Sequence, residues 1–144
     1  MEKGFTLIEI VVVIAIFSMI AVLGLFMTLD TFRGTQYRSE RDTVVAVLEK
    51  ARSRAMANIN QTAWGVYYDS TSHSYIIFRG TTYDSGASTN EAVPGNAAVT
   101  ITGLSSSGVV FSQLTGNTTA TTVTVTQDAR TSSITINNEG TILW

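Results

Sequence analysis

One apolar stretch near the start of the chain limits what the sequence can fold into. From Phe5 to Met27 the only ionisable side chain is that of Glu9, and residues 10–27 are interrupted only by serine, alanine and glycine. A run of this length meets the requirement for a helix that crosses a bilayer, roughly 18–20 residues. A cleaved secretory signal has a shorter apolar core, about 7–15 residues, followed by a small-residue cleavage site that is missing here. The stretch therefore predicts a membrane anchor that is retained.

Glu9 is the unusual residue of this stretch, because a charged group inside a bilayer is costly. Insertion scales give about 2.5–3.5 kcal/mol for a charge at the bilayer centre, and the cost is smaller near the edge, where Glu9 lies. Two interpretations follow. Either the carboxylate reaches the lipid headgroups and has no further role, or it docks against a cation of another molecule during assembly.

The segment after the apolar stretch has an amphipathic pattern. At 100° per residue, one face of this segment collects apolar side chains within about 60° of one line. These side chains are Tyr37, Val44, Val47, Leu48, Ala51, Ala55 and Ile59. Because no proline occurs between Phe5 and Asn60, the pattern predicts one long helix that includes both segments and ends near Asn58 or Asn60.

Beyond the helix the hydrophobic period changes to two and turn residues become frequent. The alternation predicts an antiparallel meander of short strands with one face packed on the helix. The predicted strands are residues 63–68, 74–78, 98–102, 109–113, 121–126, 132–137 and 141–144, with a loop over residues 81–97. The predicted fold class is α+β: a long N-terminal helix, with a transmembrane half and an amphipathic half, packed on a small antiparallel β-sheet head.

Composition argues against several kinds of site. The chain has no cysteine, which excludes disulfides, thiolate metal ligands and cysteine nucleophiles. His73 is the single histidine and has no acid cluster near it in sequence, so we predict no metal site and no cofactor. No P-loop and no G-x-S-x-G motif occurs, and we predict that the protein is not an enzyme. The head has few basic residues, so nucleic acid is not an expected partner.

The stretch GFTLIE at residues 4–9, after a short leader with Lys3, resembles the N-terminal signal of type IV pilins and type II secretion pseudopilins. The resemblance implies that a prepilin peptidase cuts between Gly4 and Phe5 and methylates the new amino terminus at Phe5. It also implies that Glu9 joins the filament by pairing with the amino terminus of a neighbour's Phe5. The other motif positions are Thr6, Leu7 and Ile8. The implied fold is the pilin fold.

Two later stretches resemble the GspH/FimT branch of minor pilins. They are LEKARSRA at residues 48–55 and SITINNEGTI at residues 133–142. The resemblance implies a structural minor subunit of a type II secretion pseudopilus or a type IV pilus, near the tip or priming assembly. The implied partners are the prepilin peptidase, other subunits of a helical filament, the cytoplasmic (inner) membrane and the inner-membrane assembly platform. The head is expected outside the cytoplasm, before the subunit enters the filament.

The predicted organisation has four parts. Residues 1–4 are the leader, residues 5–29 the transmembrane and filament-core half of the helix, residues 30–60 its amphipathic half, and residues 61–144 the β-rich head. Two alternative functions fit the same start of the chain: a DNA-uptake minor pilin that binds DNA through its head, and a pilin-like surface adhesin. The first needs a basic cluster on the head, and the second needs a binding site for a surface ligand.

Overall fold

The computed structural model describes residues 4, 6–104 and 107–144, and for residues 25–30 it describes the backbone alone. The chain divides into two compact units, Met1–Thr35 and Gln36–Trp144. Helix α1 runs Leu7–Met56 and contributes residues to both units.

In the first unit, α1 is apolar and exposed. The segment Leu7–Gly24 has a mean hydropathy of 2.8, and none of it is buried inside the protein. Its length and composition are sufficient to cross a membrane. A continuous apolar surface of this kind is stable only against lipid or against other apolar helices. The finding agrees with the predicted membrane anchor.

In the second unit, the remaining part of α1 buries the face that its sequence pattern predicts. The side chains of this face that are buried are Tyr37, Val44, Val47, Leu48, Ala51 and Ala55. The prediction for Ile59 is wrong, because its side chain is 43% exposed. Helix α1 ends three residues earlier, so Ile59 is not on the helical face.

The end of α1 depends on an asparagine in the left-handed conformation. Asn58 has φ 55° and ψ 33°, a region that asparagine tolerates better than most residues. Its side-chain oxygen accepts a hydrogen bond of 2.6 Å from the Gln113 amide. The Leu114 amide donates to the Ala55 carbonyl at 2.9 Å, which satisfies one of the free carbonyls at the helix end. A short 3₁₀ turn, Ile59–Gln61, follows.

The described residues of the head form eight strands in two antiparallel sheets of four strands each. The strands are β1 (Trp64–Asp69), β2 (Ser74–Arg79), β3 (Glu91–Pro94), β4 (Thr100–Thr102), β5 (Val109–Phe111), β6 (Thr121–Gln127), β7 (Arg130–Ile136) and β8 (Ile142–Leu143). Sheet A has the order β3-β2-β1-β5, and sheet B has the order β4-β6-β7-β8.

Two details of the predicted head are corrected. The single meander is wrong, because β5 returns to pair with β1 and β4 pairs with β6, which separates the strands into two sheets. The predicted loop over residues 81–97 contains β3, which pairs with β2 as an edge strand. Proline is tolerated on an edge strand, where its missing N–H faces away from the ladder, but it weakens the strand signal in the sequence.

One hydrophobic core joins α1 to both sheets in the second unit. Its largest fully buried members from the sheets are Tyr75, Phe111, Ile77, Ile134 and Ile136, together with Val66, Val123 and Val125. Leu48 and Val44 are the largest from α1. The core therefore confirms the predicted packing of the amphipathic half of the helix on antiparallel sheet.

Candidate functional site

The GFTLIE stretch forms the start of α1, and Thr6 caps it. The Thr6 carbonyl accepts hydrogen bonds from the amides of Glu9 (3.1 Å) and Ile10 (3.3 Å). The Thr6 hydroxyl oxygen accepts a longer bond of 3.4 Å from the Glu9 amide. Thr6 and Glu9 have the T-x-x-E spacing of a capping box. This capping role is absent from the sequence predictions, although the T-x-x-E spacing is visible in the sequence.

The Glu9 carboxylate lies in the first turn of α1 and is exposed. A carboxylate is stabilised there by the partial positive charge of the helix N-terminus. Leu7 and Ile8, beside it, are 81% and 68% exposed. Within the part of the chain that the structure describes, the Glu9 side chain has no hydrogen-bond partner, so it is available to another molecule.

The predicted cleavage site is only partly described. Gly4 is exposed and non-helical, and Thr6 is also non-helical. Phe5, the predicted methylation site, and residues 1–3 lie outside the described residues. The described motif residues thus form one exposed segment that leads directly into the apolar helix.

A second cluster, absent from the sequence predictions, surrounds the buried carboxylate of Glu40. Its side chain is on the apolar face of α1, and only 6% of the residue is exposed. The Tyr75 hydroxyl donates to Oε1 at 2.5 Å, and the Asn96 amide donates to Oε2 at 3.1 Å. Burial, followed by the hydrogen bond to Glu40, raises the pKa of Tyr75 well above its ordinary value. Glu40 precedes Val44 by four residues, so helical spacing could have placed it on the buried face.

Gly95 makes room for the Glu40 carboxylate. A Cβ atom at Gly95 would lie 2.8 Å from Glu40 Oε1 and 2.9 Å from the His73 carbonyl oxygen. Cβ atoms in proteins essentially never lie within 3.0 Å of such atoms, so a side chain at this position would displace the carboxylate or the backbone. The glycine therefore allows the connection between β3 and β4 to cross directly over the carboxylate.

A third cluster fastens β3 to α1. Glu91 accepts hydrogen bonds from Lys50 and from Arg54, the latter at 2.7 Å. The Lys50 bond, and then the Arg54 bond, lower the pKa of Glu91 below its ordinary value. The Arg54 guanidinium also lies 4.9 Å from the Trp64 ring centroid, within cation–π range. These contacts are structural and explain why β3 lies at this edge of sheet A.

The aromatic residues of β1 and β2 separate onto the two faces of sheet A. Tyr68 and Tyr75 are buried on the face toward α1. On the opposite face, the Tyr67 and Tyr83 rings stack with centroids 4.1 Å apart and an angle of 13°. Phe78 lies against Tyr83 at 5.6 Å. Core packing toward α1 therefore explains only some of the aromatic residues of β1 and β2.

Neither of the two surface clefts contains a catalytic arrangement among the described residues. The larger, about 490 Å³, lies along α1 and is lined by Glu49, Arg52, Ser53, Met56 and Ala57. The smaller, about 340 Å³, is lined by hydroxyl and small side chains from residues 81–121. His73 Nδ1 lies 3.3 Å from the Tyr68 hydroxyl, and no metal-ligating cluster occurs among the described residues.

Comparisons with known proteins match both parts of the chain. The prokaryotic N-terminal methylation motif matches residues 1–25, and the family described as type II transport protein GspH matches residues 40–140. No curated protein sequence matches the chain. The solved structure of the minor pseudopilin EpsH from the type 2 secretion system of Vibrio cholerae is similar, with a TM-score of 0.50 and 10% sequence identity. The similarity covers 75% of this chain and 94% of that one.

The structural similarity establishes the fold, which is that of a pseudopilin, and the family match is independent of it. The matched GspH region begins at residue 40, within the amphipathic part of α1, and includes nearly the whole head. Because this match spans well over half of the sequence, the chain belongs to the GspH family of type II transport proteins.

Proposed function

We propose that this protein is a structural minor subunit of a type II secretion pseudopilus, placed near the tip or in the priming of assembly. The observation that carries the proposal is the joint presence, on one chain, of the methylation motif, an exposed apolar helix and a GspH head. The GspH family consists of structural pseudopilins, so the protein is not an enzyme.

The first step of the proposed function is processing by a prepilin peptidase between Gly4 and Phe5, with methylation of Phe5. The position of Gly4 and Thr6 outside helix α1 supports it, because a bond inside a hydrogen-bonded helix is less accessible to a peptidase. The processed subunit then has a free amino terminus next to α1. Before assembly the apolar segment anchors it in the inner membrane, with the head outside the cytoplasm.

The second step is entry into a helical filament together with other pseudopilins, driven by the inner-membrane assembly platform. There the Leu7–Gly24 segments pack against one another, and an unpaired carboxylate in such a core is costly. The amino terminus of a neighbour's Phe5 supplies the missing cation for Glu9. The Thr6 cap supports this role, because it holds Glu9 in the first turn, close to the terminus.

Intact-mass and N-terminal peptide mass spectrometry, with and without a co-expressed prepilin peptidase, tests the processing step. We expect a chain that begins at methylated Phe5 only when the peptidase is present. A chain that still begins at Met1, or that is cut beyond Met27, would contradict the proposal.

A Glu9→Gln variant tests the assembly step separately. It keeps the shape of the side chain and removes its charge, so we expect normal cleavage at Gly4 but loss of cross-linking to neighbouring subunits. Glu49→Gln, which removes an exposed acid from α1 in the head, is the matched control and should assemble normally. Normal assembly of Glu9→Gln would show that the carboxylate has no docking role.

A further inference from the structure

The face of sheet A that is turned away from α1 is unusually apolar. The alternation of β1, β2 and β3 places Tyr67, Ile76, Ala92 and Pro94 on this face, and Ala92 and Pro94 are exposed. An antiparallel sheet with one solvated face normally carries polar residues there. We call the surface formed by these four residues and Tyr83 the tyrosine face.

The rings of the tyrosine face are held in place by packing. Tyr83, from the loop after β2, stacks on Tyr67 and also contacts Phe78, whose ring is buried beneath. Phe78 fits because its cross-strand partner is Gly65, where a methyl group would overlap the ring. Both tyrosines stay partly exposed. Rigid, partly exposed tyrosines are typical anchors of protein interfaces.

Two carboxylates flank the stacked rings. Asp69 follows Tyr67 by two residues on the same face of β1, and Asp84 directly follows Tyr83. Burial raises the pKa of Tyr83, and Tyr67, Asp69 and Asp84 raise it further. Hydrogen bonds from the Ser72 hydroxyl and the Thr71 amide lower the pKa of Asp69, so it is charged at neutral pH. Neither carboxylate forms an ion pair within the described residues.

The described strand residues on this face of β1, β2 and β3, and the loop over residues 80–90, include no lysine or arginine. Strand alternation places Arg79, the basic residue that ends β2, on the opposite face of sheet A, with its partner Trp64. Lys50 and Arg54 are paired with Glu91 on the helix side of the sheet. The face therefore combines an aromatic platform with two carboxylates that have no ion-pair partner among the described residues.

We infer that the tyrosine face docks an arginine-bearing surface of a neighbouring pilin-type subunit. Charge complementarity selects this partner: a guanidinium stacks on a tyrosine ring and pairs with a carboxylate at the same time. The apolar stem of the arginine would cover Ile76, Ala92 and Pro94. The inference rests on the proposed function, because it requires that the chain assembles with other pseudopilins.

Site-specific photo-cross-linking of the full chain in cells that make the complete secretion machine tests the inference. The probe is p-benzoylphenylalanine in place of Ile76, and mass spectrometry identifies the cross-linked peptide. We expect an adduct with an arginine-bearing peptide of another pilin-type subunit. The same probe at Thr135, an exposed position on sheet B, should not give this adduct.

Charge removal tests the chemistry of the contact. The double variant Asp69→Asn/Asp84→Asn keeps the side-chain oxygens that accept from the Thr71 and Gly86 amides. At position 69 the new NH2 group replaces the oxygen that accepts from the Ser72 hydroxyl, and it can donate to that hydroxyl oxygen instead. We expect the cross-linking yield at Ile76 to fall by at least about tenfold. Glu139→Gln removes one exposed acid elsewhere on the head and should leave the yield unchanged.

A second probe at Val13 in the apolar helix separates the two proposals. If Val13 cross-links to pilin-type subunits but Ile76 gives no adduct, or its adduct is unaffected by the double variant, the inference is wrong and the proposed function stands. An Ile76 adduct with lipid or with a protein of another class also overturns the inference. If neither position reaches another pilin-type subunit, the proposed function itself fails.

Discussion

Glu40 connects three parts of the chain that are far apart in sequence. Its carboxylate accepts a hydrogen bond from Tyr75 on β2 and another from Asn96 in the connection between β3 and β4. A buried carboxylate without its donors is much less stable than one that has them, because its desolvation is then uncompensated. This residue therefore makes the position of α1 on sheet A specific.

The variant Tyr75→Phe should lower the free energy of unfolding by about 1–3 kcal/mol, because it leaves Glu40 Oε1 buried without its donor. Urea unfolding of the full chain in micelles, followed by near-UV circular dichroism, measures the change. Tyr83→Phe, on the other face of sheet A, is the control and should change stability by less than about 0.5 kcal/mol. Equal losses in the two variants would show that the Glu40 contact contributes nothing.

At the scale of elements, α1 and β3 each depend on contacts with the rest of the head. Helix α1 buries one continuous face, and Leu48 on that face is fully buried. Strand β3 is short and lies at an edge, and its Glu91 reaches two cations of α1. The helix contributes mainly through apolar burial, whereas the strand combines backbone pairing with β2, packing of Val93 on the core and the Glu91 ion pairs.

Leu48→Ala should destabilise the head by about 2–5 kcal/mol, since it removes buried methyl groups and leaves a cavity. Thermal or urea unfolding of the full chain measures the loss. The neighbouring Glu49→Ala, at an exposed position, should stay within about 0.5 kcal/mol of the wild type. A small effect of Leu48→Ala would mean that α1 is not packed as described.

The Glu91 ion pairs should make stability depend on pH in acid. The folded-state pKa of Glu91 is lowered from its ordinary value of 4.5. The stability that Glu91 contributes is therefore present above pH 4.5 and is lost as the pH falls through the lower pKa of the folded state. We expect Glu91→Gln to lose less stability than the wild type between about pH 5 and about pH 3. At neutral pH the two should differ by no more than about 1 kcal/mol, since the pair is partly exposed.

The measurement for Glu91 is the free energy of unfolding at several pH values. Glu139→Gln, an exposed acid outside the ion-pair cluster, serves as the comparison and should follow the wild-type curve. Identical acid profiles for Glu91→Gln and the wild type would contradict the prediction.

At the scale of the whole molecule, the two units have opposite surfaces. The first unit exposes apolar side chains along Leu7–Gly24, whereas the second has its own core of helix and sheet residues. The exposed apolar surface of the first unit requires lipid or other apolar helices around it, whereas the second unit buries its apolar side chains and requires only water.

A fragment that begins at Gln36 should therefore be soluble without detergent, monomeric and cooperatively unfolding, because it contains all of the buried core. Light scattering coupled to size exclusion, together with urea unfolding, measures this. The full chain is the comparison and should require detergent. An aggregated or non-cooperative fragment would show that the head depends on the first part of α1.

The predictions from sequence succeeded where the signal is local. The unbroken apolar run predicted the exposed segment Leu7–Gly24, which is long and apolar enough to cross a membrane, and the helical period predicted the buried face of α1. The failures were the buried position of Ile59, the strand β3, hidden by its length and its proline, and the division of the strands into two sheets. Cleavage at Gly4, methylation of Phe5 and docking of Glu9 remain predictions.

The sequence by itself determined the long helix, its two kinds of surface and the family signal at its start, because these depend on the spacing and transfer free energy of consecutive side chains. Only the tertiary structure decided the burial of Glu40, the existence of β3 and the tyrosine face. Those features depend on partners far apart in the chain, such as Glu40 with Tyr75 and Glu91 with Lys50. No local pattern encodes such a pairing until the fold brings the two residues together.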